Sequence, residues 1–253
     1  MRDASFDLPA GAVSALIGPN GSGKSTLLHA MAGLLAPVAG DLQVLGRRPV
    51  EMRRRVAYVL QATKVNDHMP ITVREAVTMG RYAARGAFGR LGRGDRALVR
   101  DAIERLELDE LAGRHLVELS GGERQRVFVA QGLAQDSEVL LLDEPVTGLD
   151  LASRQRIVEV VGAERDAGHT VVVATHDLGD AADADHLLLL AGRVVAEGRP
   201  AEVLTAEHLR EAYGGRLLRL GEGLVLLDDA PHHDHGHDHA PHGDRGHGHD
   251  SDV

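Results

Sequence analysis

Residues 18–26, GPNGSGKST, constrain the fold of this chain more than any other stretch. Gly18, Gly23, Lys24 and Ser25 satisfy the pattern G-x-x-x-x-G-K-[ST]. The apolar segment 12–17 before them predicts a buried strand, and the segment after them has helical spacing and good helix formers. A glycine-rich loop between a strand and a helix can wrap a phosphate chain with backbone N–H groups, although an ordinary glycine turn is the alternative.

The chemistry of this loop suits a nucleoside triphosphate with Mg²⁺. Lys24 is expected to reach the β- and γ-phosphates, and the Ser25 hydroxyl to bind the Mg²⁺ ion. The residues predicted to contact the nucleotide here are Gly18, Pro19, Asn20, Gly21, Ser22, Gly23, Lys24, Ser25 and Thr26.

A second motif, EVLLLDEP, occupies residues 138–145 and reads as an apolar strand that ends in two carboxylates. Open α/β sheets bind ligands at the carboxyl ends of their strands. Asp143 is therefore predicted to hold Mg²⁺, and Glu144 to face an attacking water. Taken alone, a solvated strand end would explain the same residues.

A third motif, LSGGERQR at residues 119–126, opens a predicted helix. Ser120, Gly121 and Gly122 there offer a hydroxyl and N–H groups, and so predict a second anion site. The alternative is a capping motif, with Glu123 and Arg126 on a solvated face.

Alternating strands and helices predict an α/β fold with a mainly parallel sheet. The pattern turns helical between residues 72 and 136, which predicts a helical insertion in the middle of the sheet. Segments 41–46 (DLQVLG) and 55–61 (RVAYVLQ) are both expected to be strands. Phe6, within an apparent strand pattern beside Leu8, is expected to belong to the core.

Composition narrows the function classes. The 253 residues carry a formal net charge of −10 and no cysteine, so we expect no nucleic-acid partner and no thiolate metal site. The charged N-terminus does not look like a signal peptide, and the longest apolar runs are shorter than the roughly 20 residues that cross a bilayer. A role at a membrane would therefore depend on another chain.

The three motifs, in this order, closely resemble those of ATP-binding-cassette (ABC) ATPases. The resemblance covers nearly all of residues 4–228. It implies a P-loop cassette with a RecA-like, mainly parallel core, antiparallel β strands and the inserted helical subdomain. It also implies roles for three more residues: Gln61 contacts the metal and the water, Asp150 crosses to the other subunit, and His176 touches the γ-phosphate.

The resemblance also implies a homodimer that uses ATP and Mg²⁺. If the 119–126 motif and the phosphate loop are far apart in one chain, they share a nucleotide only when two chains associate head to tail. Each ATP would then lie between Lys24 of one copy and Ser120 of the other. Glu144, His176, Gln61 and Lys24 would be the catalytic residues.

One feature departs from the family. In such ATPases a further strand and an aromatic residue that stacks on adenine precede the first motif, whereas this chain has almost nothing before it. Either the true start lies upstream of Met1, which is the favoured explanation, or the nucleotide binds with reduced affinity and a strand edge stays exposed.

After residue 228 the composition changes to a histidine-rich tail, predicted to be disordered. Imidazoles and carboxylates on a flexible chain suit Zn²⁺, Ni²⁺ or Cu²⁺, although an engineered tag is the alternative. The candidate zinc ligands are His232, His233, His235, His237, His239, His242, His247 and His249. The expected domains are therefore an ATPase domain at 1–228 and a flexible tail at 229–253.

The cassette is also similar to ATPases of the zinc and manganese importer group. The resulting prediction is the ATPase of a metal transporter, with zinc import favoured. It would dock peripherally on membrane permease subunits at the cytoplasmic face, with an extracytoplasmic metal-binding protein delivering the ion. The open alternatives are a cassette for an iron chelate, haem or an exported compound, a soluble ABC ATPase acting on nucleic acid or ribosomes, and a non-catalytic metal buffer.

Overall fold

The computed structural model describes residues 4–60, 70–86, 89–214, 217–220 and 223–226. Six strands form the central sheet: β1 (Val13–Ile17), β2 (Val56–Val59), β3 (Val139–Asp143), β4 (Thr170–Ala174), β5 (His186–Leu190) and β6 (Val194–Gly198). Their order is β2-β3-β4-β1-β5-β6. The first five strands are parallel, and β6 runs antiparallel to β5.

Helices cover both faces of this sheet. They are α1 (Lys24–Met31), α2 (Pro49–Met52), α3 (Val73–Met79), α4 (Tyr82–Arg85), α5 (Arg93–Arg105), α6 (Gly121–Leu133), α7 (Leu151–Asp166), α8 (Leu178–Ala182), α9 (Pro200–Val203) and α10 (Ala206–Tyr213). A hairpin of β7 (Leu217–Leu220) and β8 (Gly223–Leu226) follows. None of the helices in the described residues is long and apolar enough to cross a membrane.

The core is built on continuous apolar strands. Every residue of β1 and β3 is buried, as expected of a parallel sheet covered on both faces. Because successive side chains of a strand point to opposite faces, Leu140 and Leu142 join one core cluster and Leu141 joins the other. The predicted α/β cassette with a mainly parallel sheet is confirmed.

Helices α3 to α6 lie between β2 and β3, where the sequence predicted a helical insertion. Thr72 caps α3, and its side chain exchanges hydrogen bonds with Glu75. A buried ion pair fastens this region: Asp95, at the start of α5, accepts hydrogen bonds from Arg81 and Arg85 at 3.0 and 3.1 Å. The segment therefore contributes its own polar and apolar contacts to the fold.

The strand predicted at 41–46 is wrong. The only pairing there in the described chain is an isolated bridge between Val44 and Arg47, and residues 4–8 likewise form no strand. A strand needs a hydrogen-bonded neighbour, and an apolar pattern alone does not supply one. Phe6, Leu8 and Leu42 nevertheless pack, partly buried, against the core, as expected for Phe6.

Candidate active site

The phosphate loop joins β1 to α1 in a conformation that requires glycine. Gly18 has φ +148°, and a Cβ atom on it would lie 2.0 Å from the Leu190 carbonyl oxygen. Gly23, the N-cap of α1, has φ 108° and offers no side-chain cap. The first N–H groups of α1 therefore have no side-chain acceptor at the cap and can receive an anion.

Lys24 lies at the centre of this loop. It is buried, and its Nζ donates hydrogen bonds to the carbonyl oxygens of Gly18 at 2.7 Å and Pro19 at 3.3 Å. Burial lowers the pKa of Lys24, while the charges of Glu144 and Asp143 oppose that shift. The loop therefore holds an ammonium group close to both acidic residues of the β3 motif.

Ser22 gives an independent sign that the loop fits a phosphate group. Its hydroxyl oxygen is buried and has no hydrogen-bond partner among the described residues. Its carbonyl oxygen accepts a hydrogen bond from the Gly192 N–H at 3.0 Å, which ties the loop to the turn between β5 and β6. A buried polar atom left without a protein partner is available to a ligand.

The carboxyl ends of β3 and β4 bring three predicted residues together. Asp143 is buried at the end of β3, and Glu144 follows it with φ 47°, a strained conformation that turns the chain sharply. The Glu144 N–H donates to the Ala174 carbonyl oxygen at 2.9 Å. His176 Nδ1 lies 3.8 Å from a Glu144 carboxylate oxygen. An acid and an imidazole thus face the same space beyond the sheet.

The oxygen donors of this site suit Mg²⁺, which prefers carboxylate, hydroxyl and phosphate oxygens and keeps several waters. Ser25, in the first turn of α1, and Asp143 are the residues that would hold it. Gln61 falls outside the described residues. The eight tail histidines do as well, and no cluster of three His, Cys, Asp or Glu side chains able to hold a metal occurs in the part that is described.

The 119–126 motif begins α6, as predicted. Ser120 is its N-cap: the hydroxyl accepts from the Glu123 N–H at 3.3 Å, and Glu123 accepts from the Ser120 N–H at 2.8 Å. The capping alternative therefore describes the Ser120 hydroxyl correctly. Ser120 and Gly121 are nevertheless exposed, so this helix start faces solvent.

Gly122 packs against the start of α7. A Cβ atom at Gly122 would lie 2.5 Å from Asp150 Oδ2 and 2.6 Å from Ser153 Oγ. Asp150 caps α7 by accepting from the Ser153 N–H at 2.9 Å, and this bond contributes most to lowering the Asp150 pKa. Asp150 thus contacts the Ser-Gly-Gly segment of its own chain, whereas these contacts include no residue of the phosphate loop.

Tyr58 is a site residue that sequence reasoning missed. Its hydroxyl donates a hydrogen bond to Asp143 Oδ2 at 3.2 Å, and its ring packs edge-on against His29 of α1, with the centroids 5.3 Å apart. The contact arises because Tyr58 pairs with Leu141 across β2 and β3. No spacing in the sequence indicates that strand register.

Comparison with known proteins decides the family. The sequence model of the protein family described as "ABC transporter" matches residues 1–147, which is more than half of the chain. The chain belongs to the ABC transporter family. This ABC ATPase is 43% identical over 216 residues to the "Zinc transport system ATP-binding protein TroB" of Treponema pallidum, covering 85% of this chain and 81% of TroB. It is 37% identical over 226 residues to the "Manganese transport system ATP-binding protein MntB" of Bacillus subtilis, covering 89% and 90% of the two chains.

Solved structures agree with this assignment. One, described as an inward-facing ABC transporter of the metal-chelate type, superposes with a TM-score of 0.73 at 29% identity and covers 87% of this chain and 86% of that one. The dimeric cassette MJ0796, bound to ADP and Pi, gives a TM-score of 0.69 at 27% identity and covers 78% and 89%. The predictions of an ABC-type ATPase that uses ATP and Mg²⁺ are confirmed at the level of the family.

Proposed function

We propose that this ABC ATPase powers a membrane importer of a transition-metal ion, with zinc as the ion carried. The observation on which the proposal rests is the convergence of Lys24, Asp143, Glu144 and His176 beyond the carboxyl ends of the parallel strands. Relatives named for zinc and manganese transport support a metal cargo, and the histidine-rich tail favours zinc.

We propose a role for each of these residues, which the geometry supports. Lys24 would neutralise the β- and γ-phosphate oxygens of ATP from within the loop. Glu144, aimed by its strained backbone, would orient the attacking water and accept its proton, and His176 beside it would stabilise charge on the transferred phosphoryl group. Asp143 and Ser25 would hold Mg²⁺, which neutralises charge on the phosphates. Gln61, outside the described residues, is proposed to contact the metal and the water, as the family resemblance implies.

Two copies are needed to complete the site. At the exposed start of α6, the hydrogen bonds of Ser120 go to Glu123 and Arg124 of its own helix, and none joins it to the phosphate loop in the described chain. We propose that this helix start binds the γ-phosphate held by the other copy, so that ATP joins the two subunits and hydrolysis releases them. Asp150, beside Gly122, would then stand at the interface of the closed dimer.

A cleft of about 440 Å³ between the sheet and the helical insertion is the proposed docking place for the permease. Leu60 and Met79, both exposed, line this cleft together with Phe128 and Gln131 of α6, so its lining combines several large apolar side chains. A short helical segment of a permease with an apolar face would bury this surface, on the cytoplasmic side of the membrane.

Glu144→Gln tests the catalytic proposal. It should keep ATP binding and slow phosphate release by about two orders of magnitude or more, as expected when a general base is lost. The matched control is Glu110→Gln, which changes an exposed glutamate of the helical insertion that has no part in the proposed site. This variant should hydrolyse ATP at the native rate. Near-normal turnover by Glu144→Gln would refute the role of Glu144.

Dimer closure has its own test. In the Glu144→Gln background, magnesium and ATP should convert monomer to dimer in size-exclusion chromatography. Adding Ser120→Arg should block that conversion, because a bulky cation would fill the phosphate-facing helix start. ATP-dependent dimers that survive Ser120→Arg would contradict the shared site.

The choice of zinc is tested by transport. Purified transporter in proteoliposomes should take up labelled zinc in preference to manganese when supplied with ATP and its extracytoplasmic binding protein. Removing residues 229–253 should abolish the modest zinc binding of the isolated ATPase, which should also weaken as histidines protonate below about pH 6.5. Preference for manganese, or for an iron chelate, would refute zinc as the transported ion and would not affect the proposal that the chain is the ATPase of the transporter.

A further inference from the structure

Four arginines surround a cleft of about 420 Å³ in the helical insertion. Arg74 lies on α3, and Arg93, Arg96 and Arg100 lie on α5. The spacing of the last three, at positions i, i+3 and i+7, places them on one face of α5. All four are exposed. We call this feature the arginine cleft.

The arginine cleft is a positive region on an acidic protein. Residues 70–105 contain eight arginines and four acidic residues, whereas the whole chain carries a net charge of −10. Three of the four carboxylates bind elsewhere: Asp95 binds two arginines outside the cleft, Glu75 binds Thr72, and Asp101 pairs with Arg105 at 3.8 Å. The fourth, Glu104, lies one turn beyond Arg100 on α5, and none of the described residues that line the cleft is a carboxylate.

The cleft arginines have no carboxylate within ion-pair distance among the described residues. Arg96 donates a hydrogen bond to the Leu91 carbonyl oxygen at 3.2 Å, which holds its guanidinium at the cleft. Leu91 and the buried Val99 form an apolar floor. Clustered like charges repel one another, so an arrangement without counter-charges indicates an anionic partner. Guanidinium groups are suited to phosphate because they donate two parallel hydrogen bonds.

We propose that the arginine cleft binds the phosphate headgroup of an anionic phospholipid at the membrane surface. The inference rests on the proposed function, in which the adjacent cleft receives a membrane permease. Both clefts share α3: Thr78 lines the arginine cleft together with Arg74, and the next residue, Met79, about 100° further around the helix, lines the cleft proposed for the permease. Docking on the permease would therefore bring the arginines close to the cytoplasmic leaflet, whose negative charge attracts basic clusters. The apolar floor would accept glycerol and the first methylene groups, beside the arginine stems.

Vesicle flotation with the full-length chain, without nucleotide, tests the proposal. Native protein should float with vesicles of phosphatidylcholine and phosphatidylglycerol, and not with phosphatidylcholine alone. The cleft variant carries Arg74→Gln, Arg96→Gln and Arg100→Gln. Each basic residue near an anionic surface contributes about fivefold to binding, so removing three should weaken binding by about a hundredfold.

A matched control removes the same charge elsewhere. Arg47→Gln, Arg48→Gln and Arg54→Gln change three exposed arginines outside the helical insertion, and this triple variant should bind vesicles like the native protein. If both triple variants lost vesicle binding equally, the effect would depend on net charge alone, and the proposal that the cleft binds the lipid would be refuted. Equal binding of the native protein to both kinds of vesicle would also overturn it.

Two further measurements complete the test. The cleft variant in detergent should hydrolyse ATP at the native rate. This result would show that the substitutions weaken lipid binding without damaging the proposed catalytic site. Inorganic phosphate should raise the melting temperature of native protein and cleft variant equally, through the phosphate loop. A stabilisation by inorganic phosphate that only the native protein shows would assign the cleft to a soluble anion and overturn the lipid proposal.

Discussion

Removing the hydroxyl of Tyr58 should weaken the hold of this ATPase on magnesium. Burial and the charge of Asp143 raise the pKa of Tyr58, so the phenol stays protonated and donates to Asp143 at neutral pH. The loss of an outer-shell hydrogen bond that orients a metal-ligating side chain typically weakens metal affinity by about 10–100-fold, and a length of 3.2 Å places this bond at the weak end. Tyr58→Phe should thus need about tenfold more free Mg²⁺ for half-maximal activity.

The assay has two independent readouts. The first is phosphate release at saturating ATP across a range of free Mg²⁺, where Tyr58→Phe should shift the midpoint and leave the maximal rate nearly unchanged. The second avoids turnover: in the Glu144→Gln background with ATP, the affinity for Mn²⁺ can be read from its electron paramagnetic resonance signal. Tyr82→Phe removes a phenol from an exposed position and is the matched control. Identical metal affinities in the Tyr58 and Tyr82 variants would refute the reasoning.

Three other variants follow from the structure. Gly122→Ala should reduce ATP turnover at least about tenfold, because its Cβ would lie 2.5 Å from Asp150 Oδ2, whereas Gly121→Ala has open space and should be active. The pKa of Asp95 is lowered to about 2 from 3.8 by the Gly92 N–H and two arginines. Asp95→Asn should therefore lower stability by a constant amount above about pH 5, and the difference from the native protein should shrink between pH 4 and 2, since stability from a depressed carboxylate pKa is lost as it protonates. Leu141→Ala, at a fully buried position of β3, should cost about 2–5 kcal/mol in urea unfolding.

The nucleotide site could be predicted from sequence because its determinants are local. A glycine loop between a strand and a helix needs no knowledge of distant contacts, and a buried parallel strand appears as an unbroken apolar run such as 139–142. Glu144 and His176 each follow such a run, and parallel strands deliver their carboxyl ends to the same edge. The resemblance to ABC ATPases then supplied the expected roles of Gln61, Asp150 and His176.

Contacts that depend on strand register and helix packing were beyond reach. The bond between Tyr58 and Asp143 requires the pairing of β2 with β3, and the approach of Gly122 to Asp150 requires α6 to meet α7. The strand predicted at 41–46 is wrong for a related reason, since its apolar pattern is present but a pairing strand is not. A local pattern indicates the propensity of a segment, whereas strand pairing and helix packing depend on residues distant in the sequence.

Helix α6 has a mechanical consequence. It is 13 residues long, or about 20 Å at 1.5 Å per residue. Ser120 stands at its first turn, and Gln131 and Gly132 of its last turn line the cleft proposed for the permease. Just beyond the helix, the Gln135 side chain donates to the Val56 carbonyl oxygen at 2.9 Å and anchors that end to the sheet. Because α6 is continuous from Ser120 to this cleft, a permease bound there would displace both ends of the helix together, which would couple the conformation of the proposed transporter to its binding of ATP.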